Sequence, residues 1–162
     1  MFNKILVVCL GNICRSPTAK FMLQQALPDK QIDSAGITAM VEKSSEKEGE
    51  RKGKGWDMDA KARDIAAKNG HQFDIHEAQQ LTRELISNYD LILVMENEQR
   101  SHIAKRYPEA HAKTMLLGHW LDAQGGNGKG KEIPDPYRRS DDVYQHVFEL
   151  IEKSCNEWKT KL

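Results

Sequence analysis

The sequence lacks an excess of charge of either sign: 24 lysines and arginines face 24 aspartates and glutamates, a formal net charge of zero. A general nucleic-acid binder carries a basic excess, so that class is not expected. A local positive site remains open, because net charge hides local fields. Long apolar runs are also missing. No segment reaches the roughly 18 to 20 residues that span a bilayer. The run from Ile5 to Leu10 is too short for a signal-peptide core and meets Gly11 and Asn12 at once. No membrane insertion is expected. Cysteine is scarce and odd in number, three in all, so no disulfide framework is implied. The expected setting is reducing and cytoplasmic. Neither an internal repeat nor a second domain is visible, and residues 1–162 read as one domain.

What is present is an alternation of strand and helix patterns. Lys4 to Cys9 is a β-branched run, read as a buried strand, followed by a loop from Leu10 to Arg15. Ser16 then Pro17 predicts a helix start, with the hydroxyl at the N-cap and proline at the first helical position. Ala19, Met22, Leu23, Ala26 and Leu27 make its apolar stripe. A second strand reaches Ser34 and breaks at Gly36. Glu42 to Gly55 is charged, without apolar period, and reads as an exposed loop. Asp57 is placed to cap a helix running to Asn69, with Gly70 at its end. Thr82 to Ser87 reads as a helical turn, Leu91 to Met95 as a buried strand, and Asn97 to Arg106 as a helix stopped by Pro108. Lys113 to Leu117 reads as a strand. Gln124 to Lys131 holds four glycines and is expected to be mobile. Ser140 caps a last helix with Val143, Val147, Ile151, Cys155 and Trp158 on one face, so Cys155 reads as core. The pattern predicts an α/β fold: a parallel sheet covered on both faces, with a crevice near residues 9 and 95 where ligands bind.

The stretch Cys9-Leu10-Gly11-Asn12-Ile13-Cys14-Arg15-Ser16-Pro17 lies between a strand and a helix N-terminus. Backbone amides there point inward and the helix adds partial positive charge, which suits an anion. Gly11 and Asn12 tolerate the left-handed backbone that curls a loop into such a nest. Cys9 places its sulfur at the centre, where donors for phosphate oxygens favour thiolate over thiol. Arg15 completes the ring with a planar fork that fits two phosphate oxygens. Ser16 is placed to donate to the sulfur. The plainer reading makes Cys9 a strand cysteine and Arg15 a surface charge, but the company of Gly11, Asn12, Ser16 and Pro17 goes against it. A nucleotide P-loop would need a following Gly-Lys-Ser/Thr. A zinc site would need a different cysteine spacing.

An acid is expected at Asp135, held between Pro134 and Pro136 with Tyr137 beside it as an aromatic wall. Such an acid would protonate a leaving phenolic oxygen. Cys14 shares the curled loop with Cys9 and is a candidate to trap its oxidised form as a reversible disulfide.

These residues resemble the low-molecular-weight protein tyrosine phosphatases. The likeness covers nearly the whole chain and is strongest at Val8 to Pro17, Asp33-Ser34-Ala35-Gly36 and Asp135-Pro136-Tyr137. It implies a four-stranded parallel sheet flanked by helices on both faces. It implies Cys9 as nucleophile, Arg15 as phosphate clamp, Ser16 as thiolate stabiliser and Asp135 as general acid. Leu10, Gly11, Asn12, Ile13, Cys14, Arg15 and Ser16 would bind the phosphate through the loop. Asn12 would lock that loop, helped by His76; read alone, His76 is an ordinary surface or helix-start histidine. No cofactor or metal is implied.

Gly118-His119-Trp120 and Ile133 to Tyr137 are similar to the bacterial branch that works opposite tyrosine autokinases in exopolysaccharide export. The implied partners are a phosphotyrosine protein, such as an autokinase, and inorganic phosphate or a similar oxyanion. Two departures affect the substrate rim. An insertion at 42–52 lengthens the loop after Ser34-Ala35-Gly36, where Lys43, Lys47, Arg51 and Lys52 are candidates to dock a partner protein. Met40 stands where some members carry an aromatic wall residue. Two other functions stay open. An arsenate reductase on this scaffold needs further cysteines near the site, and Cys155 is badly placed. A non-catalytic phosphotyrosine-binding module would have no use for both Cys9 and Asp135. Relatives acting on phosphoarginine tend to carry Thr where Ile13 stands.

Overall fold

The computed structural model describes residues 1–42, 53–121 and 129–162. The expected insertion, apart from Glu42, with its docking candidates Lys43, Lys47, Arg51 and Lys52, and most of the glycine-rich Gln124 to Lys131 stretch lie outside the described residues. Four strands, β1 (Lys4–Cys9), β2 (Gln31–Gly36), β3 (Leu91–Val94) and β4 (Thr114–Leu116), form one parallel sheet in the order β2-β1-β3-β4. Helices α1 (Arg15–Ala26), α2 (Ala60–Lys68), α3 (Arg83–Ser87), α4 (Asn97–Arg106) and α5 (Asp141–Lys159) surround it.

The two-residue period of a strand explains why both faces need cover. Ile5, Val7 and Cys9 of β1 and Leu91 and Leu93 of β3 join one apolar cluster, with residues of α1, α2 and α5. Leu6 and Val8, with Ile92 and Val94, join a second cluster containing Ile86, Ile103 and Tyr107. Each fully buried aliphatic side chain here contributes about 1.5–3 kcal/mol. The sheet is therefore held from both sides, with the apolar residues of its central strands buried.

The strand order also positions the site. From β1 the chain crosses to β2 on one side and later returns to β3 on the other. The loops leaving the carboxyl ends of β1 and β3 diverge there and open a crevice. Cys9 ends β1, and Met95 follows β3. Ile133 donates its N–H to the Met95 carbonyl at 2.9 Å, which anchors the segment carrying Asp135 beside that crevice.

Two helix starts differ from expectation. Helix α1 begins at Arg15 with Cys14 as its cap, so Ser16 and Pro17 are already inside its first turn. The Ser16 hydroxyl is turned to the Cys9 sulfur instead, and proline is tolerated there because first-turn N–H groups lack helical partners. Helix α2 is capped by Asp59, which accepts from the Ala62 N–H at 3.3 Å. Asp57, the expected cap, accepts from the N–H groups of Met58 and His76 and from Arg63. Gly70 ends α2 in a left-handed conformation, φ 87°.

Candidate active site

The loop after β1 is shaped by the hydrogen bonds of its carbonyls. Those of Cys9, Leu10 and Gly11 accept from the N–H groups of Ile37, Thr38 and Met40 at 3.0, 2.8 and 2.9 Å. That of Asn12 meets His76 Nε2 at 2.6 Å, and that of Ile13 accepts from the Asp59 N–H at 2.8 Å. Five successive carbonyls thus face away from the crevice, which turns the intervening N–H groups toward it. Such a concavity of amides at a helix N-terminus suits a phosphoryl group.

Asn12 makes the curl. It alone in the loop adopts a left-handed backbone, φ 59°, and its N–H lies 3.3 Å from the Cys9 sulfur. Its amide nitrogen donates to the hydroxyls of Ser16 and Ser34 at 2.8 and 2.9 Å, and its Oδ1 accepts from the Gln79 N–H at 2.9 Å. Gly11 serves a different purpose from the expected left-handed turn. A Cβ there would come within 3.2 Å of the Met40 side chain. Gly36 is under the same constraint, since a Cβ would sit 2.7 Å from the Leu10 carbonyl.

Cys9 Sγ lies 3.0 Å from Ser16 Oγ. Arg15, only 2% exposed, holds its guanidinium by one nitrogen: NH1 pairs with the Glu96 carboxylate and donates to the Ile133 carbonyl at 2.9 Å. The NH2 edge lies 3.8 Å from Asp135 Oδ2. Asp135 is less buried than Arg15, and its Oδ1 accepts from the Tyr137 N–H at 3.0 Å, which fixes the carboxyl direction. A cavity of about 370 Å³ joins these groups, lined by Cys9, Leu10, Ile13, Arg15, Asp135 and Tyr137 among others. Met40 and Thr38 also line it.

Burial is the largest influence raising the Cys14 thiol far above its ordinary range, with Asp59 and Cys9 next. Cys14 is therefore held as a neutral thiol in the same loop as Cys9. Cys155 is buried against the Ala19 carbonyl in the contact between α1 and α5 and is not among the residues lining the cavity. Among the described residues no group of three or more His, Cys, Asp or Glu could hold a metal ion.

Of the residues named from the sequence, Cys9, Leu10, Gly11, Ile13, Cys14, Arg15, Met40, Asp135 and Tyr137 line the cavity, while Asn12, Ser16 and His76 sit behind it in the hydrogen bonds of the loop. Sequence reasoning missed Glu96 and Thr38, and gave no partner for Ser34 or Gln79. Glu96 carried a usable signal: an acid two residues past β3, at the crevice, with Gln99 three residues on in the spacing of a capping box.

A sulfur at the end of a strand, an inward-facing amide loop, a buried guanidinium and an aimed carboxyl gather at one cavity suited to a phosphate ester. A family model described as "Low molecular weight phosphotyrosine protein phosphatase" matches residues 4–162. The chain is 41% identical over 161 residues to the low molecular weight protein-tyrosine-phosphatase Etp of Escherichia coli K12, covering 99% of this chain and 95% of that one. Vibrio vulnificus Wzb in complex with benzylphosphonate superposes with a TM-score of 0.84 at 42% identity, covering 100% of both chains. The tyrosine phosphatase Wzb of Escherichia coli K30 in complex with sulphate gives the same TM-score at 42% identity, covering 99% of both. The chain belongs to the low molecular weight protein tyrosine phosphatase family and is an enzyme of that class, a phosphoric monoester hydrolase.

Proposed function

We propose that the chain hydrolyses phosphotyrosine in protein substrates through a phosphocysteine formed on Cys9. The observation that carries this is the convergence of Cys9 Sγ, Arg15 and Asp135 on one cavity, with Ser16 Oγ at 3.0 Å from the sulfur. In the first step Cys9 thiolate attacks phosphorus. The bond from phosphorus to the tyrosyl oxygen breaks as Asp135 gives that oxygen its proton. In the second step Asp135 takes a proton from water. The resulting oxygen attacks phosphorus, and the sulfur leaves as thiolate with Ser16 donating to it. Arg15 and the loop amides hold the equatorial oxygens throughout, chiefly by prior positioning. These fixed charges supply the stabilisation that a cation gives elsewhere, so no metal or organic cofactor enters the steps.

Met40 and Tyr137 both line the cavity and would take the flat ring, with Leu10 on the exposed rim. A benzylphosphonate complex in one relative and a sulphate complex in another support an aryl phosphate here. The proposed substrate is a bacterial tyrosine autokinase or an exopolysaccharide-related phosphoprotein in the cytoplasm, reached by residues 1–162 as one unit. The likeness to Etp and Wzb supports that choice. Among the described residues no helix is long and apolar enough to cross a membrane. The burial of Cys155 disfavours an arsenate-reducing relay.

A chromogenic aryl phosphate tests the proposal. The wild-type chain turns it over, and Cys9→Ser abolishes turnover while inorganic phosphate still binds. Full activity in Cys9→Ser, or phosphate binding without turnover in the wild type, ends the proposal; the second outcome leaves a binding module.

A further inference from the structure

Lys20 places an ammonium where little water reaches it. It lies on α1 with 9% of its surface exposed, its Nζ 4.4 Å from the centroid of the Phe21 ring. Buried charges of this kind need strong partners. The partner here is a histidine ring: Nζ is 2.9 Å from Nδ1 of His76, itself 2% exposed. The other ring nitrogen, Nε2, lies 2.6 Å from the Asn12 carbonyl oxygen. A carbonyl only accepts, so Nε2 carries the hydrogen. Nδ1 then offers a lone pair, and the ammonium donates to it. Hydrogen bonds run in one direction, from Lys20 to His76 to Asn12.

We infer that Lys20 is a positioning residue for the phosphate loop. By donating to Nδ1 it fixes the Nε2–H tautomer of His76, and that N–H holds the Asn12 carbonyl outward. The Asn12 N–H is thereby kept on the Cys9 sulfur. The left-handed conformation of Asn12 is costly for a residue other than glycine and needs such restraint. The kinetic part of the inference rests on the proposed phosphatase reaction; the tautomer does not.

Charges facing the pair come from three other elements. Burial lowers the pKa of the Lys20 ammonium below its ordinary value, and Asp33 of β2 and Asp57, ahead of α2, which act on both Lys20 and His76, partly offset it. Arg63 of α2 pairs with Asp57 at 2.7 Å. Burial first, then the charge of Lys20, hold His76 down to about 4. A neutral ring fits the donor order above.

The test compares the wild type with Lys20→Met, which removes the donor, and Lys20→Gln, which keeps an uncharged one. Long-range proton–nitrogen spectra of His76 are recorded between about pH 5 and 8, beside aryl phosphate kinetics and inhibition by inorganic phosphate. The wild type shows one Nε2–H tautomer that stays neutral across the range. In Lys20→Met the tautomers mix, the ring titrates at higher pH, and kcat falls roughly tenfold. Lys20→Gln restores the tautomer and most of kcat. An Nδ1–H or charged ring in the wild type overturns the inference, as does wild-type kcat in Lys20→Met. Equal loss in both variants also overturns it. If Lys20→Met fails to fold, the wild-type spectrum and Lys20→Gln decide. An inactive wild type would end the phosphatase reading while the spectra and phosphate binding still judge the relay.

Discussion

The hydroxyl of Ser16 lies 3.0 Å from the sulfur of Cys9, and the same oxygen accepts from the Asn12 side chain at 2.8 Å. A thiolate can only accept, so with Cys9 ionised the hydroxyl hydrogen is directed to sulfur. A hydrogen bond to an ionised group contributes about 1.5–3 kcal/mol, so Ser16→Ala is expected to lower kcat by about tenfold to a hundredfold. Ser34→Ala is the control. It removes the other acceptor of Asn12, at 2.9 Å, without touching sulfur. Stability falls in both variants, but only Ser16→Ala loses most of its rate. Equal kcat loss in the two would assign Ser16 to loop support alone.

Asp135 is aimed by the Tyr137 N–H on one oxygen and faces the Arg15 guanidinium with the other. As general acid it matters most when the departing oxygen is strongly basic. Asp135→Asn is expected to slow phenyl phosphate by about 10²- to 10⁴-fold, and a nitrophenyl ester far less. A plot of log kcat against leaving-group pKa steepens in the variant. Parallel plots for wild type and variant would remove Asp135 from the acid role.

The β1-loop-α1 unit was legible because its chemistry is local: strand, curl, arginine and helix follow within a few residues. Asp135 was legible because two prolines leave its backbone few choices. The misplaced helix starts have a common cause. Ser16 and Asp57 are good caps in isolation, but each is taken by a tertiary partner, Cys9 in one case and the N–H of His76 in the other. Arg15 is held by residues 81 and 118 positions away, and Lys20 meets His76 across 56. No spacing rule reaches such pairs, since they arise only when the sheet brings its strand ends together. Gly11 also misled, because its reason is the nearness of Met40 and not its own backbone angle.

His76 gives the fold an acid limit. Its folded value is held to about 4, below the ordinary 6.5, by burial first and by Lys20 second. Between those values the unfolded chain binds a proton that the folded chain refuses. Stability is therefore full above about 6.5 and declines as pH falls toward 4, by about 3 kcal/mol in all. Asp57 acts lower down. Although burial opposes it, the N–H groups of His76 and Met58 and the Arg63 side chain hold its carboxyl below the ordinary 3.8. Its contribution is present above 3.8 and lost as pH drops through the folded value. Urea midpoints across pH 7 to 4 check the first window. His76→Gln, which keeps a donor for the Asn12 carbonyl, is expected to be less stable at pH 7 yet flatter in slope. An unchanged slope would place the acid sensitivity elsewhere.

Cys14 lies in the same curled loop as Cys9, and both line the cavity. Its thiol is pushed far up by burial, so it is neither a competing nucleophile nor a target of first oxidation. Peroxide is expected to convert Cys9 to a sulfenic acid. The Cys14 sulfur would then form the S–S bond, the sulfenic oxygen leaving as water with the thiol proton. Wild-type activity lost to peroxide is expected to return with dithiothreitol. Cys14→Ser starts near wild-type activity, loses it to the same dose, and recovers far less, because its sulfenic acid proceeds to the sulfinic form that thiols do not reduce. Peptide mapping of the oxidised wild type shows a Cys9–Cys14 bridge. Equal recovery in the two proteins, or a bridge involving Cys155, would assign the protection to something other than Cys14.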